Sequence, residues 1–404
     1  MTLSEELTWR GFINQTTYEN IVVLDGEPIN FYWGVDPSAK SMTIGNLAAA
    51  MLVYHFIRHG HKAYLLIGGA TGLIGDPDGK KDERNLKTIE EIDRNKEGVT
   101  EEYKRIFANH PFEIVDNYDW FKNINYLDFL RDIGKNVPLS NMLGRDFVQS
   151  RLGEGGSGIS YAEFSYSLIQ GYDFLHLFRN YGVTLQLSGA DQWGNSVAGV
   201  DMIRRIESGE ANVLSTPLVV NKTTGVKFGK SEEGAVWLDA KQTSVYKFYQ
   251  FWLNVDDAGA IDYAKIYTLL AKEQIDDLAT KQQADPAARD VQKTLAYEVT
   301  RFVHGEAAAE SAKKVTGVLF GNTQFTELTS EDIKILESEI PHSHVGATVV
   351  DLLEQVNIVG SKGEARRLMV GGAISVNGEK IFEDIIIDKP SLVKKGKNSF
   401  LLVS

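Results

Sequence analysis

The apolar positions of this chain change period along its length. Residues 29–35 form a short apolar and aromatic run that ends near Gly34, Asp36-Pro37-Ser38 follows as a turn, and from Ile44 to His59 the apolar positions recur at helical spacing. Lys62–Ile67 is again a continuous run of strand length, so residues 29–67 predict one strand-helix-strand unit of a parallel sheet. His59-Gly60-His61 reads as the end of that helix, with Gly60 as its left-handed cap. The second strand runs into Gly68-Gly69-Ala70-Thr71-Gly72-Leu73-Ile74-Gly75-Asp76-Pro77, at the rim where ligands of such sheets gather and where glycines let backbone and ligand approach closely. The arrangement repeats later. Tyr161–Asn180 is helical in pattern, and Val183–Leu187 is a strand leading into Ser188-Gly189-Ala190-Asp191-Gln192. Residues 85–108 read as a helix with a solvated, charged face. Helix patterns such as Ser244–Leu253 and Ala287–Val303 fill residues 240–318. The pattern weakens over 321–344, which reads as a linker, and 345–404 reads as a small α+β module. The expected boundaries are therefore 1–225 for an α/β domain, 226–320 for a helical domain, 321–344 for the linker and 345–404 for the module.

Composition narrows the chemistry. Ordinary apolar and charged fractions over 404 residues describe a globular chain of two or three domains. No run approaches the roughly 20 apolar residues of a membrane span, and the start lacks the order of a secretion signal, so the expected place of work is the cytoplasm. The absence of cysteine excludes disulfides, cysteine-bound zinc and thiol catalysis, and the eight histidines form no convincing ligand set, so no structural metal is expected. The net charge of −13 argues against indiscriminate nucleic-acid binding. From Pro341 onward, however, eight Lys/Arg face seven Asp/Glu, with Lys362, Arg366 and Arg367 in one cluster and Lys394, Lys395 and Lys397 in another.

Two segments carry the candidate chemistry. Lys227-Phe228-Gly229-Lys230-Ser231 on a Gly-rich loop, read together with Ser41-Met42-Thr43-Ile44-Gly45-Asn46, points to activation of an acid by ATP. The helix starting at Ile44 presents unpaired N–H groups to phosphate, Gly45 leaves room for a purine, and Ser38, Thr43 and Asn46 supply donors, although all three residue types also serve as turn and capping groups. Tyr166, Gln170 and Asp173, spaced by four and three, share one helix stripe. With Asp76 they suit an α-amino acid, whose ammonium group would lie among Asp76, Tyr166 and Gln170.

These residues resemble the bacterial-type tyrosyl-tRNA synthetases of class I. The resemblance rests on Tyr32-Trp33-Gly34-Val35-Asp36-Pro37-Ser38-Ala39, Gly68 to Pro77, Asn117-Tyr118-Asp119-Trp120, Phe164 to Asp173, Ser188 to Asn195 and the KFGKS run, in order from about residue 8 to the end. It implies a Rossmann-like catalytic domain, a helical middle domain, a C-terminal RNA-binding module similar to one in a ribosomal protein, and a homodimer. By the same resemblance, Tyr32 and Asp173 grip the substrate's phenolic hydroxyl, Asp76, Tyr166 and Gln170 its ammonium, and Gln192 lies near its carboxylate, with Gln186 in support. Gly34, Asp36, Gly45 and Asn46 line the adenosine side, Gly189 and Asp191 hold the ribose, and Ser38, Thr43 and Ser231 face phosphate. Lys80, Arg84, Lys227 and Lys230 close over pyrophosphate. The implied substrates are L-tyrosine, ATP with its Mg²⁺, and tRNA(Tyr), the last meeting Lys362, Arg366 and Arg367.

Three positions depart from the family's pattern. The usual HIGH motif is Thr43-Ile44-Gly45-Asn46 here, and Trp33 is bulkier than the cysteine often found at its place. A tryptophanyl synthetase would share the scaffold but would need an indole pocket, whereas Tyr32 with Asp173 favours a phenol. A regulatory RNA-binding protein with a decayed site is the other alternative, and the retained Lys227, Lys230, Asp76 and Asp173 argue against it.

Overall fold

The structure, a computed structural model, describes residues 1–77, 86–144, 146–153, 156–226, 228, 230–231 and 234–404, with the backbone alone at 141, 146, 147, 230 and 231. The chain forms two compact units, Met1–Thr243 with Asn254–Leu295, and Ser244–Leu253 with Ala296–Ser404.

The first unit is built on a six-stranded sheet. Its strands are β1 (Gln15–Thr16), β2 (Asn30–Val35), β3 (Lys62–Ile67), β4 (Phe112–Asp116), β5 (Leu185–Gly189) and β6 (Asn212–Thr216), in the order β1-β6-β5-β2-β3-β4. All neighbours run parallel except the short edge strand β1. Chain order moves outward from β2 through β3 to β4 on one side and from β5 to β6 on the other. The crevice of this doubly wound sheet therefore opens between the carboxyl ends of β2 and β5.

The Ile44–Arg58 helix joins β2 to β3 and is buried nearly all round, which explains its apolar sequence and its run of three alanines, Ala48 to Ala50. Gly60, at φ +91°, turns the chain out of it as expected. The Tyr161–Tyr181 helix starts in a reciprocal cap, Ser160 Oγ accepting from the Glu163 N–H and Glu163 from the Ser160 N–H, and ends at Gly182 with φ +63°. It packs Phe174, Leu175 and Leu177 against Tyr64, Leu66 and Val213 of the sheet. An N-terminal clasp completes the unit: Arg10, 3 % exposed, donates to Glu6 Oε1 at 2.9 Å and to the carbonyls of Lys265, Thr268 and Leu270 at 2.7–2.9 Å.

The second unit revises the expected boundaries. Residues 321–344, expected as a linker, carry the Ser330–Glu339 helix and β9 (His342–Ser343), which pairs in parallel with β13 (Ser399–Val403). With β10 (Ile374–Val376), β11 (Glu379–Lys380) and β12 (Ser391–Lys395) these strands form a sheet ordered β11-β10-β12-β13-β9; β7 (Lys230–Ser231) and β8 (Gly234–Ala235) form a separate hairpin in the first unit. One face of this sheet packs on the Val349–Gln355 and Lys362–Val370 helices of the 345–404 module. Leu392, Phe400 and Leu402 instead share a core with Tyr246, Val315, Leu319 and Leu336. The module thus completes a core begun by the preceding helices. The Val245–Leu253 helix joins this unit, while the Asp257–Tyr267 and Lys272–Ala284 helices stay with the first. Polar composition over 321–344 suggested a linker because its few apolar residues lie in and around one short helix and are buried against residues distant in the chain.

Candidate active site

A cavity of about 450 Å³ opens at the switch between β2 and β5. Its wall gathers Tyr32, Gly34, Asp36 and Ser38 from the end of β2 and the turn after it, and Thr43, Gly45 and Asn46 from the following helix start. Asp76 comes from the Gly-rich segment, Tyr166, Gln170 and Asp173 from one helix stripe, and Gln186, Gly189, Asp191 and Gln192 from β5 and its turn. Of the remaining expected residues, Lys80, Arg84 and Lys227 lie outside the described residues. Lys230 and Ser231 lie on β7, and Phe228 and Ala235 near that hairpin line the cavity. Lys362, Arg366 and Arg367 belong to the second unit, on the Lys362–Val370 helix, where Lys362 pairs with Asp351 at 2.8 Å and the two arginines are exposed.

Strand register explains the depth of the site. Tyr32 pairs with Gln186, so their side chains share one face of the sheet. Tyr32 is 2 % exposed, tilts against Phe174 at 5.2 Å, and its hydroxyl has no hydrogen-bond partner among the described residues. Asp173 is also 2 % exposed, and its two oxygens accept Nδ2–H of Asn117 at 3.0 Å and Nε1–H of Trp120 at 2.9 Å. Burial raises the Asp173 carboxyl well above the ordinary range against the pull of these two donors. Burial, then the charge of Asp173, pushes the Tyr32 hydroxyl up as well, so it stays protonated at neutral pH. Tyr32 and Asp173 thus meet in one cavity without bonding to each other. Asn117 and Trp120, quoted above only as part of a motif, turn out to orient Asp173.

The amino-group end differs in detail from the expected trio. The Tyr166 hydroxyl donates to Asp36 Oδ2 at 2.7 Å rather than facing Asp76, and Thr71 donates to Asp36 Oδ1 at 2.6 Å. Asp76 accepts from Gln192 Nε2 at 2.5 Å. Burial, followed by the charges of Asp36 and Asp76, holds the Tyr166 hydroxyl far above its usual titration range, so two carboxylates concentrate negative potential here. Gln170 Oε1 is buried without a partner among the described residues. Asp36, assigned by resemblance to the adenosine side, therefore also accepts from Tyr166, which the resemblance assigned to the ammonium group.

The glycines divide by cause. A Cβ on Gly68 would stand 2.0 Å from Asp36 Oδ1 and one on Gly69 2.2 Å from Asp116 Oδ1, so these two glycines are required by packing of the chain's own carboxylates rather than by approach of a ligand. At Gly45 a Cβ would make only ordinary van der Waals contact, 3.4 Å from Thr43 Oγ1 and 4.0 Å from the Phe228 carbonyl oxygen, so packing among the described residues does not require glycine there. Thr43 donates from its backbone N–H at 3.0 Å and its hydroxyl at 3.1 Å to one atom of Asn46. That atom must be the amide oxygen, so the Asn46 nitrogen is left as the donor for a ligand.

Sequence reasoning missed two hydroxyls. Ser188 Oγ and Thr216 Oγ1 line the cavity, buried and without a partner among the described residues, at the ends of β5 and β6. Their place just inside the carboxyl ends of parallel strands was the available signal. No group of three or more metal-ligating side chains occurs among the described residues.

Comparison with known proteins agrees with this geometry. Residues 24–321 match the model of the class I tRNA synthetases of the W and Y group. The chain is 42% identical to "Tyrosine--tRNA ligase 2" of Bacillus cereus, covering 100% of this chain and 99% of that protein. It is 43% identical to "Tyrosine--tRNA ligase 1" of Enterococcus faecalis, with the same coverage. A C-terminally truncated mitochondrial tyrosyl-tRNA synthetase of Aspergillus nidulans superposes with a TM-score of 0.70 at 28% identity, over 77% of this chain and 92% of that one. A doubly wound sheet with a cavity at its switch point, and this degree of likeness over its whole length, make the chain a member of the class I tRNA synthetase family that comprises the W and Y enzymes.

Proposed function

We propose that the chain is a tyrosine–tRNA ligase: it joins L-tyrosine to ATP, releasing pyrophosphate, and passes the tyrosyl group to the 3′-terminal ribose of tRNA(Tyr). The observation that carries the reading is the pairing, on one cavity wall, of the unpartnered Tyr32 hydroxyl with the Asp173 carboxylate. Each Asp173 oxygen keeps a lone pair beyond the bond it already accepts, so a substrate phenol donates to Asp173 and accepts from Tyr32. Phenylalanine would leave the buried Tyr32 hydroxyl unsatisfied and would give Asp173 no donor beyond Asn117 and Trp120. The full-length relatives named tyrosine–tRNA ligase support the same substrate.

In this reading Asp76, Tyr166 and Gln170 hold the ammonium group, with Asp36 joining them, and Gln192 and Gln186 steady the carboxylate side. The tyrosine carboxylate is ionised at neutral pH and needs no base. Its oxygen attacks the α-phosphorus, and the bond to the β-phosphate oxygen breaks, the electron pair leaving with pyrophosphate. Gly34, Gly45, Asn46, Gly189 and Asp191 line the nucleoside, while Ser38, Thr43, Ser231, Lys80, Arg84, Lys227 and Lys230 supply donors to phosphate. Donors aimed at the departing pyrophosphate stabilise the transition state more than the ground state. Mg²⁺ arrives with ATP and adds positive charge to the phosphates. A ribose hydroxyl oxygen of the tRNA then attacks the tyrosyl carbonyl, AMP leaves, and the hydroxyl proton is released; alignment is the main requirement.

Arg366 and Arg367 offer exposed positive charge to the tRNA backbone, and Lys362 does so less freely because of Asp351. The proposed assembly is a homodimer in the cytoplasm. Tyr126 and Tyr161, 60% and 62% exposed, touch through their hydroxyls at 3.3 Å, and Leu127, Leu139 and Leu152 are exposed on helices between them in the chain, an apolar excess suited to a second copy. No helix among the described residues is long and apolar enough to cross a membrane.

The deciding experiment is amino-acid-dependent exchange of pyrophosphate into ATP. Exchange with tyrosine and not with phenylalanine or tryptophan is expected. Exchange with tryptophan alone would move the chain to the W enzymes, and exchange with no amino acid would favour a regulatory role.

A further inference from the structure

Glu102 lies on the Ile89–Ile106 helix, 3 % exposed and outside the cavity wall, and it forms no salt bridge among the described residues. Its Oε2 accepts the Met42 N–H at 2.7 Å and its Oε1 the Ser41 hydroxyl at 2.5 Å. Ser41 Oγ in turn accepts the Asp239 N–H at 3.0 Å, and one turn further along the helix Arg105 donates to the Leu238 carbonyl at 2.9 Å. One helix turn therefore grips two chain segments. The first, residues 41–42, runs directly into Thr43 and the helix start at Ile44. The second, residues 238–239, follows the KFGKS run and the β7–β8 hairpin. The segments are also joined to each other, Leu238 N–H to the Met42 carbonyl at 2.9 Å and Ile44 N–H to the Val236 carbonyl at 3.1 Å, with Thr43 and Trp237 facing across an antiparallel bridge.

A buried carboxylate is costly, and an apolar side chain would fill the same space more cheaply. What an apolar residue lacks is two acceptors on one rigid group, which fix a backbone N–H and a hydroxyl together. Resting on the function proposed above, we infer that Glu102 is a positioning residue for ATP-dependent activation: through Ser41 and Met42 it sets Thr43–Asn46 in register with the segment leaving the KFGKS run. Tyr32 and Asp173 lie on β2 and on the Tyr161–Tyr181 helix, and the partners of Asp173 are Asn117 and Trp120 rather than Glu102, so the effect is confined to the nucleotide step. Misplacement of phosphate donors by about 1 Å is enough to cost on the order of 10²-fold in rate.

The test uses the full-length protein. Glu102→Ala and Ser41→Ala are expected to lower kcat/KM for ATP in tyrosine-dependent exchange by roughly 10- to 100-fold, the former more. Tyrosine binding measured without ATP stays within about twofold of the unaltered protein. The double variant should match Glu102→Ala, because both residues act through one chain of bonds. Glu102→Gln, which keeps one acceptor, recovers part of the loss and serves, with Ser41→Ala, if Glu102→Ala does not fold. Unchanged kcat/KM for ATP, or tyrosine binding weakened as much as ATP use, would overturn the inference. Absence of exchange in the unaltered protein is a different failure, since it would remove the function itself.

Discussion

Two buried polar regions of the first unit, the cavity and the N-terminal clasp, resolve their polar groups in opposite ways. In the clasp the Arg10 guanidinium meets Glu6 and three backbone carbonyls, so its donors are answered within the chain. On the cavity wall the Tyr32 hydroxyl, Gln170 Oε1, Gln186 Oε1, Ser188 Oγ and Thr216 Oγ1 are buried without a partner among the described residues. An unanswered buried polar atom costs about 1–3 kcal/mol, so five around one cavity are a standing cost that a ligand can offset. The Arg10 network closes onto the chain, whereas the polar atoms of the cavity wall stay open to a ligand.

The sharpest way to break this contrast is Asp173→Ala. It removes the acceptor for the phenol and leaves the Asn117 and Trp120 donors unsatisfied, so kcat/KM for tyrosine should fall on the order of 10³-fold, about 4 kcal/mol, in the exchange assay. A loss below about tenfold would mean the phenol is read elsewhere. Asn46→Ala comes next. Losing its amide donor and the link to Thr43 should cut kcat for exchange about 30- to 100-fold, with little change in tyrosine binding, as read by single-turnover adenylate formation.

Glu6→Gln tests the closed side. It should leave kcat/KM for tyrosine and ATP unchanged while lowering unfolding free energy at pH 7 by about 2 kcal/mol, because a buried charged partner of Arg10 is lost while an amide oxygen remains to accept. Burial opposes ionisation of Glu6, but His55 and Arg10 overcome it and bring its pKa to about 2, below the usual 4.5. A depressed folded-state value means the contribution is complete above pH 4.5 and is lost as pH falls through about 2, so the variant should show a flatter decline of stability over that window in denaturant titrations.

The smallest effect is expected where neither burial nor closure operates. Arg366→Ala or Arg367→Ala should raise KM for tRNA about two- to fivefold, reduce the salt slope of tRNA binding by roughly one each, and leave exchange untouched. Point substitution is the cleaner probe here. Deleting residues 345–404 would strip Leu392, Phe400 and Leu402 from the core they share with Val315, Leu319 and Leu336.

Much of the site was legible before any fold was seen. The stripe of Tyr166, Gln170 and Asp173 follows from helical spacing alone, and strand-then-glycine turns marked the rim, because both depend on local periodicity. Roles drawn by resemblance placed Tyr32 beside Asp173, and both line the cavity. Less legible were the partners: that Tyr166 would turn to Asp36, that Gln192 would hold Asp76, or that Gly68 and Gly69 would be required by neighbouring carboxylates. The 321–344 stretch misled for the same reason, since a polar helix earns its place only from what it packs against.

By itself the sequence determined the alternation of strands and helices, the buried helix after β2, the helix-end glycines and which polar side chains were on hand to line a cavity. These depend on side-chain chemistry and on spacings of a few residues. Tertiary structure alone decided which of those polar groups would be satisfied. Hydrogen-bond partners such as Asn117 for Asp173, or Glu102 for Ser41, stand 56 and 61 positions apart in the chain, and only the closing of the sheet brings them within reach.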